Sequence, residues 1–225
     1  MITVHHLENS RSQRVLWLLE ELGLDYEVRR YERDPETMLA PPELKAIFPL
    51  GKAPIVTDGD RVFAESGAII EHLAGTYGEG RLLPPERTAE RERVSFWLHY
   101  AEGSLMPLLL VKLIFDRTTG PPVPFFLRPV TKAIRGQVEA AFTRPQLKLH
   151  LDYVESELSK RAFFVGDDLT AADIQMTFPL EAGAERLGGY ADRPALAKYL
   201  ERVQARPAYR RALERGGPYA YGPAR

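Results

Sequence analysis

The first eighty residues switch between two hydrophobic periods. Ile2 and Val4 alternate with Thr3 and His5, and His6 continues the face, the pattern of a short strand. A polar run comes next, Glu8-Asn9-Ser10-Arg11-Ser12. Val15, Leu18, Leu19 and Leu22 then recur at i, i+3, i+4 and i+7, one buried face of a helix that Gly23 stops. Tyr26-Glu27-Val28-Arg29-Arg30-Tyr31 predicts a second strand, completing a βαβ unit with a right-handed crossover. An irregular stretch from Asp34-Pro35 to Pro41-Pro42 leads into a short helical piece over Glu43 to Ile47. Ile55-Val56-Thr57 and Arg61-Val62-Phe63 then flank Asp58-Gly59, a strong hairpin signal. A further helix begins at Ser66 and turns Ile69, Ile70 and Leu73 inward.

Gly78-Glu79-Gly80-Arg81 and Pro84-Pro85 interrupt the pattern and divide the chain into units over 1–81 and 87–225. Beyond them the period is helical throughout. Val94, Leu98, Ala101 and Leu105 mark a long helix bent near Pro107, which Thr119-Gly120-Pro121-Pro122 ends. A second helical stretch carries Leu147, Leu151, Val154 and Leu158 on one face and is broken or bent at Pro145. Shorter helices are predicted over 194–205 and 207–215. Leu169-Thr170-Ala171-Ala172-Asp173-Ile174 reads as a capping box with Asp for the commoner Glu, and Leu169 and Ile174 are placed for a hydrophobic staple. The fold class is therefore α/β followed by all-α, in the order βαβ-α-ββα and then a helical bundle.

Composition narrows the chemistry. With 30 basic and 31 acidic residues among 225, the net charge of −1 gives no attraction to nucleic acid or to anionic membranes. Cysteine is absent, so no disulfide, thiolate metal site or protein thiol nucleophile exists, and any thiol chemistry needs a ligand's sulfur. The start of the chain lacks signal-peptide character. Its most apolar run, Leu105 to Phe115, is interrupted by Pro107 and Lys112, so a cytoplasmic protein is expected. His5, His6, His72, His99 and His150 show no metal-ligand spacing, and no phosphate loop or Ser-His-Asp signature is present.

Three segments carry a resemblance. Asn9-Ser10-Arg11-Ser12-Gln13-Arg14-Val15-Leu16, Leu50-Gly51-Lys52-Ala53-Pro54 and Glu65-Ser66-Gly67-Ala68-Ile69 resemble the cytosolic glutathione transferases in order and spacing. The Thr170 to Asp173 capping box also sits where that family carries one. Among subgroups the chain looks like the bacterial and fungal serine-type enzymes. The resemblance implies a thioredoxin-like N-terminal domain, an all-helical C-terminal domain, glutathione as co-substrate, no metal, and a homodimer pairing each N-terminal domain with the partner's C-terminal domain.

Glutathione attacks as thiolate, whereas a free thiol has a pKa of about 8.5. A helix N-terminus and a hydrogen-bond donor both favour S⁻, and the Asn9 to Ser12 loop offers both. Counting back from Arg14, Ser10 falls where some serine-type relatives keep their hydroxyl; others place it at the position of Asn9, and Ser12 is a third candidate. The resemblance assigns a backbone contact to Ala53 before a cis-Pro54, and a carboxylate contact to Lys52. Ser66, opening a helix, suits the γ-glutamyl carboxylate, and Glu65 its ammonium.

The second substrate, a small hydrophobic electrophile, is expected between the domains, with Tyr100, Ser104, Leu108 and Lys112 lining the cleft. Tyr219 and Tyr221 either cover that cleft or are disordered. Two other readings keep the fold: glutathione-dependent reduction of peroxides or disulfides, and a non-catalytic binding protein. Neither a nucleic acid nor a membrane is expected as partner.

Overall fold

Strand β1 (Ile2–Leu7) is buried along its whole length, polar positions included. Its place explains this: the sheet has four strands in the order β2-β1-β3-β4, so β1 is paired on both edges. In this computed structural model, which describes residues 1–223, β2 (Tyr26–Tyr31) runs parallel to β1. β3 (Ile55–Asp58) runs antiparallel to β1, and β4 (Arg61–Ala64) returns beside β3. Asp58 pairs with Arg61, so the two-residue turn is Gly59-Asp60, one residue later than the Asp-Gly signal. Gly59 takes φ +59° at the first central position, a left-handed conformation that glycine adopts without strain.

Helix α1 (Ser12–Leu22) ends as expected, with Gly23 left-handed at φ 68° and its N–H returned to the last turn. A short α2 (Glu43–Ile47) and α3 (Ser66–Tyr77) complete the first unit. The next helix is α4 (Ala89–Tyr100), which opens the second.

Pro107 and Pro145 do not break their helices. A π turn over Ala101–Leu105 joins α4 to α5 (Met106–Arg117), and another over Glu139–Thr143 joins α6 (Arg128–Val138) to α7 (Arg144–Leu158). In both rods the widened turn lies immediately before the proline-bearing first turn, where the missing N–H and the ring's bulk need room. The α4–α5 rod, 29 residues from Ala89 to Arg117, is long and apolar enough by length and composition to cross a bilayer. Here it packs on α8 (Ala171–Leu187).

Helix α8 is the centre of the second unit: every residue from Ala171 to Gly183 is buried. Both halves of the capping box form at its start. Asp173 accepts from the N–H of Thr170 at 2.8 Å, the Thr170 hydroxyl at 3.0 Å and the N–H of Phe164 at 3.0 Å. Helices α9 (Pro194–Gln204) and α10 (Pro207–Gly216) then turn back, and α10 lies on α1. Tyr209 meets the edge of Trp17 at 5.6 Å, and Arg206 grips Glu21 with bonds of 2.6 and 2.8 Å. One hydrophobic core therefore runs through both units.

Candidate functional site

A cavity of about 680 Å³ opens between the two units. Its N-terminal wall includes Asn9, Ser10, Lys52, Ala53, Pro54, Glu65 and Ser66, so the three sequence segments converge on one space. The loop after β1 delivers Asn9 and Ser10, the loop before β3 delivers Lys52, Ala53 and Pro54, and the β4–α3 junction delivers Glu65 and Ser66. All three lie at strand ends facing the helical unit.

The hydroxyl of Ser10 stands just before the first turn of α1, only 6% exposed but on the cavity wall. It donates to the Leu7 carbonyl at 2.8 Å, accepts the Ser12 N–H at 3.2 Å and lies 2.8 Å from the Ser12 hydroxyl. Ser12 is fully buried, lines no part of the cavity, and reaches His6 Nδ1 at 2.8 Å. Burial, with Arg30 nearby, pushes the His6 imidazole down to about 4, so it is neutral at pH 7. Its other nitrogen faces the Gly216 carbonyl, which assigns the proton to Nε2 and makes Nδ1 an acceptor for Ser12. Ser12 therefore spends its hydroxyl proton on His6, and its backbone N–H is the donor that holds the Ser10 oxygen from behind.

Asn9 offers a second donor. Its backbone is left-handed at φ 47°, a conformation asparagine tolerates better than most residues. Its Oδ1 accepts the Ala220 N–H at 2.7 Å, which assigns the amide orientation and leaves Nδ2 with its protons. That contact belongs to a C-terminal strap whose Ala220 and Tyr221 line the cavity. Tyr219 donates to the buried Glu181 at 2.9 Å, and Tyr221 stacks edge-on against Phe178 at 5.7 Å and lines the cavity.

Ala53–Pro54 is a cis peptide, with Lys52 exposed beside it. Glu65 takes φ 67°, an uncommon conformation for a glutamate and one that clusters at ligand sites. It is exposed, while Ser66 is 3% exposed and opens α3 with its N–H unpaired within the helix. The amide of Gln175 reaches the Ser66 hydroxyl at 3.4 Å and ties this corner to α8.

The far wall corrects the sequence reading. Tyr100, Ser104, Leu108 and Lys112 do not line the cavity; Glu102, Met106, Leu110, Leu113 and Arg117 do. The rod is apolar on several faces, so periodicity cannot choose which one meets the cleft, and the π turn at 101–105 rotates every residue beyond it. Tyr100 instead bonds His150 at 2.7 Å, Leu108 is buried, and Lys112 pairs with Asp116 at 3.1 Å.

One group escaped the sequence reading altogether. Arg14, its side chain 1% exposed, donates to the Gln175 carbonyl at 2.6 Å and to Glu102 at 2.5 Å. Arg11 reaches the same carboxylate at 2.9 and 3.0 Å. Burial alone would raise the Glu102 carboxyl; Arg14 and Arg11 override it and hold the group below the usual carboxylate range. Eighty-eight residues separate Arg14 from Glu102, and no local pattern signals such a pair.

This geometry has close relatives. The chain matches the family Glutathione S-transferase, N-terminal domain over residues 1–75 and Glutathione S-transferase, C-terminal domain over residues 123–207. It is 36% identical to Glutathione S-transferase 3 of Schizosaccharomyces pombe, across 96% of this chain and 88% of that protein. The chain belongs to the glutathione S-transferase family. A glutathione S-transferase structure from Actinobacillus pleuropneumoniae superposes with a TM-score of 0.80 at 38% identity, covering 98% of this chain and 95% of that one. A family member from Pseudomonas fluorescens, solved with two glutathione bound, matches at TM-score 0.72 and 28% identity over 95% and 92% of the chains. The thioredoxin-like unit followed by a helical bundle is thus this family's architecture.

Proposed function

We propose that this chain is a cytoplasmic, homodimeric glutathione transferase. The units over 1–81 and 87–225 bind glutathione and shape the electrophile site respectively. The observation that carries the reading is the convergence of Ser10, Ala53 and Ser66 on one cavity beside two helix N-termini. Ser66 and the start of α3 receive the γ-glutamyl carboxylate, Glu65 its ammonium, Ala53 the cysteinyl backbone and Lys52 a carboxylate. This leaves the sulfur at the loop before α1.

There the Ser10 hydroxyl turns from the Leu7 carbonyl to the sulfur and donates to S⁻. The Ser12 backbone N–H holds its oxygen meanwhile. The hydroxyl removes no proton: it stabilises the thiolate relative to the thiol, and the proton leaves to solvent. Asn9 Nδ2 is the competing donor, whereas the burial of Ser12 favours a supporting role. The thiolate then attacks a hydrophobic electrophile held against Met106, Leu110 and Leu113. Exposed apolar side chains on both units, Val62 on one and Phe96 and Leu149 on the other, support the dimer. Sedimentation analysis tests it.

Thiolate absorbance of bound glutathione, titrated in the native protein and in Asn9→Ala, Ser10→Ala and Ser12→Ala, tests the chemistry. A hydrogen bond to a charged group contributes about 1.5–3 kcal/mol, so Ser10→Ala raises the bound thiol pKa by about one to two units. A rise only in Asn9→Ala moves the role to that residue. Failure of the native protein to bind glutathione overturns the transferase reading.

A further inference from the structure

We infer that the electrophile carries an anionic group, a carboxylate or its equivalent, on an apolar body, held by Arg117 and Arg186. The inference rests on the glutathione transferase reading and concerns the half of the cavity that glutathione leaves open. Both guanidinium-bearing residues line that cavity.

Their position comes from the packing of two helices. Gln175 reaches the Leu98 carbonyl at 3.4 Å, and Leu109 lies 3.8 Å from where a side chain on Gly183 would begin. The α4–α5 rod and α8 therefore run in the same direction. Ser66 sits at the Gln175 level, through its 3.4 Å contact. Arg117 and Arg186 lie roughly 12 and 4.5 Å past the Leu109–Gly183 level at 1.5 Å per residue, at the end of the cavity away from the γ-glutamyl corner. Between the two ends α5 presents the apolar stripe Met106, Leu110 and Leu113.

Neither cation is neutralised by its acidic neighbour in sequence, because adjacent helical residues face different ways. Asp116 is taken by Lys112 at 3.1 Å and by Arg135 at 2.7 Å. Glu185 faces a separate depression on the other side of the strap. Arg186 is half-buried, donates to the Ala182 carbonyl at 3.4 Å and lies 5.5 Å over the ring of Tyr221, which lines the same cavity. The carboxylate at the opposite end of the stripe, Glu102, is already neutralised by Arg11 and Arg14. A neutral hydrophobe would fill the stripe and leave both cations unused. A bidentate oxyanion matches the fork of an arginine.

The test uses two electrophiles of one shape, 4-chloro-3,5-dinitrobenzoate and 4-chloro-3,5-dinitrobenzamide, with glutathione. In each the thiolate adds at the ring carbon, a C–S bond forms, the C–Cl bond breaks, chloride leaves and the thiol proton passes to solvent. The readout is the ratio of kcat/KM for the benzoate to that for the amide. In Arg117→Gln/Arg186→Gln this ratio falls about five- to tenfold relative to the native protein, chiefly through KM of the benzoate. In the native protein it also falls with added salt. A ratio unchanged by the substitutions, with the amide still turned over, overturns this inference and leaves the transferase reading standing. Turnover of neither compound, without glutathione binding, overturns both.

Discussion

Replacing Glu102 by Gln isolates the buried charge group that couples the two units. Glutamine keeps the shape and one acceptor oxygen but removes the charge that Arg14 and Arg11 share. Arg14 is then left inside the protein with the Gln175 carbonyl and a neutral amide as partners. Breaking a fully buried ion pair costs about 3–5 kcal/mol, and an exposed pair about 0–1. Arg14 is 1% exposed and Glu102 30%, so solvent screens one partner. The expected loss is about 2 kcal/mol, or about 4–8 °C in Tm for a chain of this size. Thermal melting of both proteins at pH 7 measures it. The pH dependence gives a second check. Because the Glu102 carboxyl is held below its usual range, its contribution is complete above the unfolded value and is lost as pH falls through the folded one. The Tm difference therefore persists from pH 8 to about 5 and shrinks in stronger acid. Melting of Glu102→Gln within 1 °C of the native protein at pH 7 would refute the claim that this pair holds the units together.

Other substitutions probe separate parts of the same argument. Asp173→Ala removes the acceptor for two buried N–H groups and the Thr170 hydroxyl, and urea denaturation should register a loss of about 3 kcal/mol. Glu181 is buried with Tyr209, Tyr219 and Gln204 as donors, and burial pushes its carboxyl up to about 7. The folded state therefore holds the extra proton, so stability is greatest below the unfolded value and declines as pH rises through about 7. Urea midpoints at pH 5.5 and 8 should diverge more for the native protein than for Glu181→Gln. Asn9→Ala removes the acceptor for Ala220 and loosens the strap; hydrogen exchange at residues 219–222 should quicken several-fold, and unaltered protection there would contradict the strap's anchoring.

The local code of this chain was legible without its structure. Each N-terminal element announces itself by period and punctuation: β2 and α2 span the segments their patterns marked, and Gly23 closes α1 in the left-handed conformation glycine favours. Thr170 and Asp173 signal their capping box because its atoms lie within four residues. The three segments that carry the family resemblance were equally visible, and the fold needs only to bring strand ends together to set them on one cavity.

What required tertiary structure is whatever depends on rotation and on long-range packing. Tyr100, Ser104, Leu108 and Lys112 share a helical face, yet the rod is apolar around much of its circumference, so only packing against α8 decides which face meets the cleft. The π turn ahead of Pro107 shifts the phase further. Ser12 and Ser10 look equivalent in sequence, two residues apart; burial inside the β1–α1 turn makes one a support and leaves the other on the cavity wall. Arg14, Glu102 and Gln175 meet across 88 and 161 residues, because a buried charge takes its partner from whichever element lies against it. Sequence determined the elements, their ends and the chemistry available at each end. Tertiary packing decided which side of each element faces the cavity, because the free energy of burial depends on neighbours that no local pattern names.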